Sequence, residues 1–241
     1  MDIFDDLAAE QDQLEQLLAE LDVVEWMTPS AAAGWTIADV VLHLAQTEEA
    51  VLASAAGTSL HDLGEGDTLD ERMDWMVSRE RTGSAAIFAR WQTARRAALT
   101  TLRSADPQQP MPWATSGLKP RTLATTRLAE HWAHGLDITD PLGIAYPDTD
   151  RLRHIAWLGH ATLPFAFALA GQPPHDVRCE LAAPDGAVWS LGPDGADSTI
   201  TGSAGAFCRV GAQRLAPADS GLQTTGPHGD AALAALRNYA T

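Results

Sequence analysis

Glu130 and His134 lie four residues apart in the stretch Arg127-Leu-Ala-Glu-His-Trp-Ala-His-Gly-Leu-Asp137. On a helix that spacing puts a carboxylate and an imidazole on one face, about one turn apart. Such a pair suits a divalent cation such as zinc. His131, three residues before His134, is spaced to look the same way. Two ligands do not make a site, and Glu130 with His134 is also an ordinary i,i+4 pair of a helix surface. A third ligand has to come from elsewhere.

His43 is the candidate. It stands in Gly34-Trp-Thr-Ile-Ala-Asp-Val-Val-Leu-His-Leu44, where Ile37, Val40, Val41 and Leu44 form an apolar stripe. His43 flanks that stripe and faces inward, and an inward imidazole needs a partner. It reads either as a satisfied core histidine or as a ligand. With Glu130 and His134 it would supply two neutral imidazoles and one carboxylate from two helices of a bundle. That set leaves coordination positions open, as catalytic sites do and closed structural sites do not.

The elements that must position these residues are legible as patterns. Ile3, Phe4, Leu7, Leu14, Leu17, Leu18 and Leu21 are spaced for an amphipathic helix over 2–22. Thr36 followed by Asp39 is a capping-box start, predicting a helix over 37–55. Further helices are expected over 68–78 and 83–104, the second with Ile87, Trp91, Ala94, Ala98 and Leu102 inward. Its arginines, Arg90, Arg95, Arg96 and Arg103, read as a solvated face with local ion pairs. Residues 106–120 hold four prolines and read as a loop, with Trp113 covering the core or a pocket. The Glu130 helix runs from Pro120 to Asp140, stopped by Pro141 and Gly143. One more helix is expected over 150–170, kinked or cut short by Pro164.

After the Gly171-Gln-Pro-Pro-His175 linker the character changes. Val177–Ala183, Pro-Asp-Gly and Ala187–Gly192 form a hairpin signal. A short strand follows from Ser198, a helix over 203–215, a strand near 222–225, and a final helix over 228–241 with Leu233, Leu236 and Tyr239 inward. Residues 1–171 therefore read as an all-α domain and 175–241 as a small α+β domain.

Composition narrows the function classes. The 241 residues carry a net charge of −16, from 32 acids against 16 bases. That charge repels phosphate backbones and anionic membranes, so no nucleic-acid or membrane partner is expected. No apolar run reaches the roughly 18 residues of a membrane span, and the acidic start resembles no signal peptide, so a cytoplasmic location is expected. Cys179 and Cys208 stand in apolar surroundings outside any C-x-x-C pair and read as buried thiols.

The Gly34-Trp-Thr…His43 segment, together with the Glu130-x-x-x-His134 helix, resembles the mycothiol-dependent maleylpyruvate isomerase family of the DinB-like metal-binding superfamily. The stretch Thr201-Gly-Ser-Ala-Gly-Ala-Phe-Cys-Arg-Val-Gly-Ala-Gln-Arg-Leu215 resembles that family's C-terminal domain, which is similar to sterol carrier protein domains. The resemblance spans nearly the whole chain. It implies an α+β protein: a DinB-like up-down four-helix bundle over 1–171, and over 175–241 a sterol-carrier-like domain with an antiparallel sheet. It implies a divalent metal, usually zinc, on His43, Glu130 and His134, with iron, nickel, cobalt or manganese also compatible with the donors. It implies mycothiol or a similar small thiol as co-substrate. The metal lowers the thiol pKa, and the thiolate attacks an electrophilic carbon. In an isomerase the thiol adds to a conjugated double bond, the bond rotates and the thiol leaves; in a transferase it stays.

The family's C-terminal domain contributes an arginine to the active site, which points to Arg214, or to Arg209, as the clamp for a carboxylated substrate. Asp137 is placed to orient His134, and His131 is a neighbour rather than a required ligand. Two other classes stay open. One is a thiol-independent metalloenzyme, a lyase, hydrolase or cyclase in a biosynthetic pathway. The other is a non-catalytic protein binding a metal or a small molecule. A monomer and a homodimer are both compatible with the sequence.

Overall fold

A computed structural model describes residues 2–58, 64–113 and 117–238 of the chain. The expected inward position of Tyr239 lies outside these residues. The chain divides into two compact units, Met1–Tyr146 and Pro147 onward.

The first unit is helical. It comprises α1 (Ile3–Glu20), a short α2 (Val23–Trp26), α3 (Ile37–Ala55), α4 (Leu69–Glu80), α5 (Ser84–Ser104) and α6 (Pro120–Thr139). The long helices α1, α3, α5 and α6 pack as a bundle, with α4 against α3. Their shared core holds Leu14, Leu18, Ile37, Val41, Leu44, Ile87, Trp91 and Ile138. Each such side chain, fully buried, is worth about 1.5–3 kcal/mol against exposure.

Cross-helix polar pairs show the helix directions. Asp5 meets Arg103 and Glu15 meets Arg96, so α1 and α5 are antiparallel. Asp2 meets Arg121 and Gln11 meets His131, so α1 and α6 run the same way. Glu48 meets Arg127 and His43 meets Glu130, so α3 opposes α6. The four helices thus run up, down, down, up, with α4 between the two descending ones.

Two small elements appear besides the expected ones. Asp22 accepts hydrogen bonds from the amides of Val24 and Glu25, and the Glu25 carboxylate accepts one from the Asp22 amide, which caps the single turn of α2. Met111–Pro112 (β1) and Gly117–Leu118 (β2) pair antiparallel within the proline-rich segment. The arginine face of α5 needs one correction. Arg90, Arg96 and Arg103 do form ion pairs, but Arg95 is only 5% exposed, between Trp91 and the carboxylates Asp12 and Glu15 of α1. The stem packs in the bundle while the charge is met across the helix gap.

The second unit starts at Pro147 rather than after the Gly171–His175 linker. The expected helix over 150–170 belongs to it and is two helices, α7 (Leu152–Ala161) and α8 (Leu163–Leu169). Pro164 falls in the first turn of α8, where its missing N–H leaves no gap, and the chain breaks at Thr162. The packing explains the boundary. Gly159 of α7 lies against Phe207 and Asn238, and the thiol of Cys208 reaches the Leu152 carbonyl.

The remaining elements are β3 (Val177–Ala182), β4 (Val188–Leu191), β5 (Ser198–Ser203), α9 (Ala204–Gly211), β6 (Gln223–Thr225) and α10 (Gly229–Ala235). The hairpin of β3 and β4 forms as its Pro-Asp-Gly turn predicts, with Gly186 at φ +87°. The sheet order is β4-β3-β5-β6, and β3 pairs with β5 in parallel. The sheet is therefore mixed rather than wholly antiparallel. After the hairpin the chain crosses to the free side of β3, so β5 enters in the same direction.

Candidate metal centre

The site is built on α3 and α6. Thr36 caps α3: its hydroxyl accepts from the Asp39 amide at 3.2 Å, and the Asp39 carboxylate accepts from the Thr36 amide at 3.0 Å. Arg81 holds the same carboxylate at 2.8 Å. This fixes where α3 begins and so which way His43 points, two turns on. α6 begins at Pro120, whose preset φ and missing N–H suit a first helical position. Gly135 of α6 sits so close to Tyr146 that a Cβ there would lie 2.7 Å from the ring. A glycine is thus required for Tyr146 to reach the buried Glu10, to which it donates at 2.6 Å.

The three expected ligands converge. His43 Nε2 lies 2.9 Å from Glu130 Oε1, and His134 Nε2 lies 3.3 Å from the same oxygen. The three donor atoms all fall within 4.8 Å of one another. The two imidazoles are edge-on, with ring centroids 5.0 Å apart. Both histidines are buried, while the Glu130 side chain keeps 22% of its surface open. Trp35, from the loop before α3, lies over both rings, at 5.0 Å from His43 and 6.4 Å from His134. Its indole N–H donates to Asp74 on α4 at 2.6 Å. Gly34, at φ +83°, makes the turn that delivers Trp35.

Asp137 orients His134. Its carboxylate can only accept, so the 2.8 Å contact is donated by His134 Nδ1–H. That leaves Nε2 as the nitrogen facing Glu130. Burial alone would lower the His134 pKa, but the bonds to Asp137 and Glu130 outweigh it and raise it to about 9. Burial would raise Glu130, yet His134 and His43 hold it well below the usual carboxylate range. His43 is pushed down by burial, more than its contact with Glu130 restores.

The donor set therefore fits a cation. Two imidazole nitrogens are aimed at one carboxylate oxygen, and a lone pair facing a carboxylate is repulsive unless a proton or a cation lies between them. In the metal-free protein protons fill that place: the Nε2–H of a neutral His43 ring and a second proton on His134. A divalent ion shared by His43 Nε2, Glu130 and His134 Nε2 would take their place, with Asp137 as the outer partner common to metal-binding histidines.

His131 is not part of this set. It stands on another side of α6, toward Gln11 of α1 and Trp91 of α5, and is completely buried. Its Nε2 accepts from the Trp91 indole N–H at 3.2 Å, so its Nδ1 carries the proton and donates to the Arg127 carbonyl at 2.8 Å. Burial, reinforced by the charge of Arg127, lowers its pKa to about 3, so it stays neutral. Arg127 and Trp35 are the residues near the triad to which sequence reasoning attached no role. Arg127 shares the first half of α6 with Arg121 and three threonines, so nothing in the local sequence set it apart. Trp113 is half-buried, packs beside Ala50 and Met73, and has its ring 5.9 Å from the Arg127 guanidinium.

Arg209 and Arg214, the expected substrate clamps, belong to the second unit. Arg209 lies on α9 and pairs with Asp148 at 2.8 Å. Arg214 falls past the end of the helix expected over 203–215, because α9 stops at Gly211 and Gln213 takes a left-handed φ of 59°. Its Nη1 donates to the Ala212 carbonyl at 2.8 Å. Cys179 and Cys208 are both buried, as expected, and burial raises both thiol pKa values, that of Cys179 to about 12.

Comparison with known proteins follows the same lines. The family model of the mycothiol maleylpyruvate isomerase N-terminal domain matches residues 7–139. Two uncharacterized proteins from two strains of Mycobacterium tuberculosis are each 34% identical over 217 residues, covering 88% of this chain and 84% of the relative. Two crystal structures of the mycothiol-dependent maleylpyruvate isomerase, one of them a mutant, share the fold. Their TM-scores are 0.61 and 0.62 at 14% and 15% identity, over 92% of this chain and 91% of each.

Proposed function

Because the chain belongs to the mycothiol maleylpyruvate isomerase N-terminal domain family, we propose that it is a metal-dependent enzyme acting with a small thiol. The reaction is isomerisation, or transfer of the thiol, on a small carboxylated electrophile. The observation that carries this reading is the convergence of His43, Glu130 and His134 from two helices. The metal is a divalent ion of zinc type and the thiol is mycothiol or a close equivalent. Such an ion, when bound, lowers the pKa of a thiol that joins it.

The remaining work falls to the chain. Asp137 keeps His134 in the tautomer that presents Nε2. The indole of Trp35 covers both imidazoles and keeps water from that side, which strengthens every charge interaction beneath it. Arg214, or Arg209, is the guanidinium proposed to clamp the substrate carboxylate. The enzyme acts inside the cell, where its thiol partner is reduced, as a monomer or homodimer. No described helix is long and apolar enough to cross a membrane.

The test is a cis–trans isomerisation assay with maleylpyruvate and mycothiol, run on metal-replete and chelator-stripped protein alongside elemental analysis. Turnover should require both thiol and metal. Protein that carries no metal and takes up none would end this reading. Turnover unchanged after removal of every small thiol would replace it with a thiol-independent metalloenzyme.

A further inference from the structure

A buried ion pair joins α3 to α6 beside the triad. Arg127 Nε donates to Glu48 Oε1 at 2.9 Å, and Arg127 Nη2 donates to Thr47 Oγ1 at 2.7 Å. The Thr47 hydroxyl lies 3.0 Å from the carbonyl of His43, to which it donates. Arg127 is 3% exposed and Glu48 is 0% exposed. The link therefore runs from the backbone of one ligand on α3 to a side chain three residues before Glu130 on α6.

Bundle stability does not require such a pair. Removing two charges from water is costly, and apolar residues of similar size often serve as well or better. Here the compensation is incomplete, since Glu48 Oε2 is buried with no hydrogen-bond partner among the described residues. Burial also raises the Glu48 pKa, against the pull of Arg127. What the pair does provide is direction. A planar guanidinium with two donors engaged on α3 fixes the register and separation of α3 and α6 more tightly than leucine-type packing.

We infer that Arg127 and Glu48 are positioning residues of the metal centre, holding His43 opposite Glu130 and His134 before any metal arrives. The inference rests on the metal-centre reading above. It concerns preorganisation: ligands held in place lose less freedom on binding, so affinity rises.

The experiment uses the full chain, stripped of metal, with Zn2+ affinity measured by competition and Co2+ binding by its visible absorption. Single replacements leave an unpaired buried charge and report mainly on folding. The double variant R127M/E48M removes both charges at similar volume. It is expected to keep its helical circular dichroism and melt near the wild type, yet bind Zn2+ roughly 10-fold or more weaker, the usual range for outer-shell partners. Its Co2+ spectrum should shift, which a purely structural role would not cause. A second variant, T47V, keeps the Arg127–Glu48 pair and removes the hydroxyl through which Arg127 reaches the His43 carbonyl. It is expected to weaken Zn2+ binding several-fold, and it decides the matter if the double variant does not fold. Folded variants with wild-type affinity and an unchanged Co2+ spectrum overturn the clamp. Wild-type protein that binds neither ion overturns the metal-centre reading itself.

Discussion

Asp137→Asn removes the charge behind His134 while keeping the side chain's size. In the native protein the Asp137 carboxylate is wholly buried and accepts the His134 Nδ1–H at 2.8 Å. With the His134 pKa at about 9, the metal-free protein at pH 7 carries a proton that an incoming cation must displace. Two pH units at about 1.4 kcal/mol each put that competition near 3 kcal/mol, or roughly 100-fold in Kd. The wild-type affinity for Zn2+ should therefore rise about tenfold per pH unit from pH 7 to 9 and then level off. Asparagine cannot hold the imidazolium as strongly, so the variant's curve should level off at a lower pH. Loss of the carboxylate also weakens His134 as a ligand, and such partners are worth about 10–100-fold in metal affinity. Above pH 9 the variant should thus bind about 10–100-fold weaker, and at pH 7 the gap should narrow because the two effects oppose. Competition against a chromophoric chelator at three pH values reads both curves. A wild-type Kd that stays flat between pH 7 and 9, or two profiles of the same shape, would refute this account of the site.

Gly135→Ala should destabilise the first unit, because the new Cβ would lie 2.7 Å from Tyr146 Cζ and 2.9 Å from its hydroxyl. Displacing that ring breaks its hydrogen bond to the buried Glu10 as well as the packing, so a loss of about 2–4 kcal/mol is expected in chemical denaturation, and an unchanged midpoint would contradict the packing argument. The metal-free protein should also lose stability with rising pH. The folded pKa of His134, about 9, exceeds its ordinary 6.5, so its protonated contacts count in full below 6.5 and vanish as pH rises through 9, on the order of 3 kcal/mol. Urea midpoints that do not fall over that window would show that His134 is not the proton carrier. The double variant C179A/C208A should keep its thiol-dependent turnover, because both thiols are buried and held protonated. Rapid alkylation of either cysteine in the native protein would count against that.

The triad was legible in the sequence because its information is local. Glu130 and His134 share a face by helical spacing alone, and Thr36 with Asp39 sets the phase of α3 that turns His43 inward. The parts left open or misread depend on what other helices bring. His131 reads as a neighbour rather than a ligand, and it stands 100° around α6 from Glu130. Its direction is settled by Trp91 and Gln11, which lie 40 and 120 residues away in sequence. Arg95 looked solvated until α1 placed Asp12 and Glu15 across from it. Arg127 follows the same logic: its charge is interpretable only once Glu48 and Thr47 face it from α3. Periodicity tells which residues share a face of one helix. The identity of the opposing face decides whether a charge there is a surface solute, a ligand or a clamp. That is why both sides of this centre had to be seen before its outer residues could be given work to do.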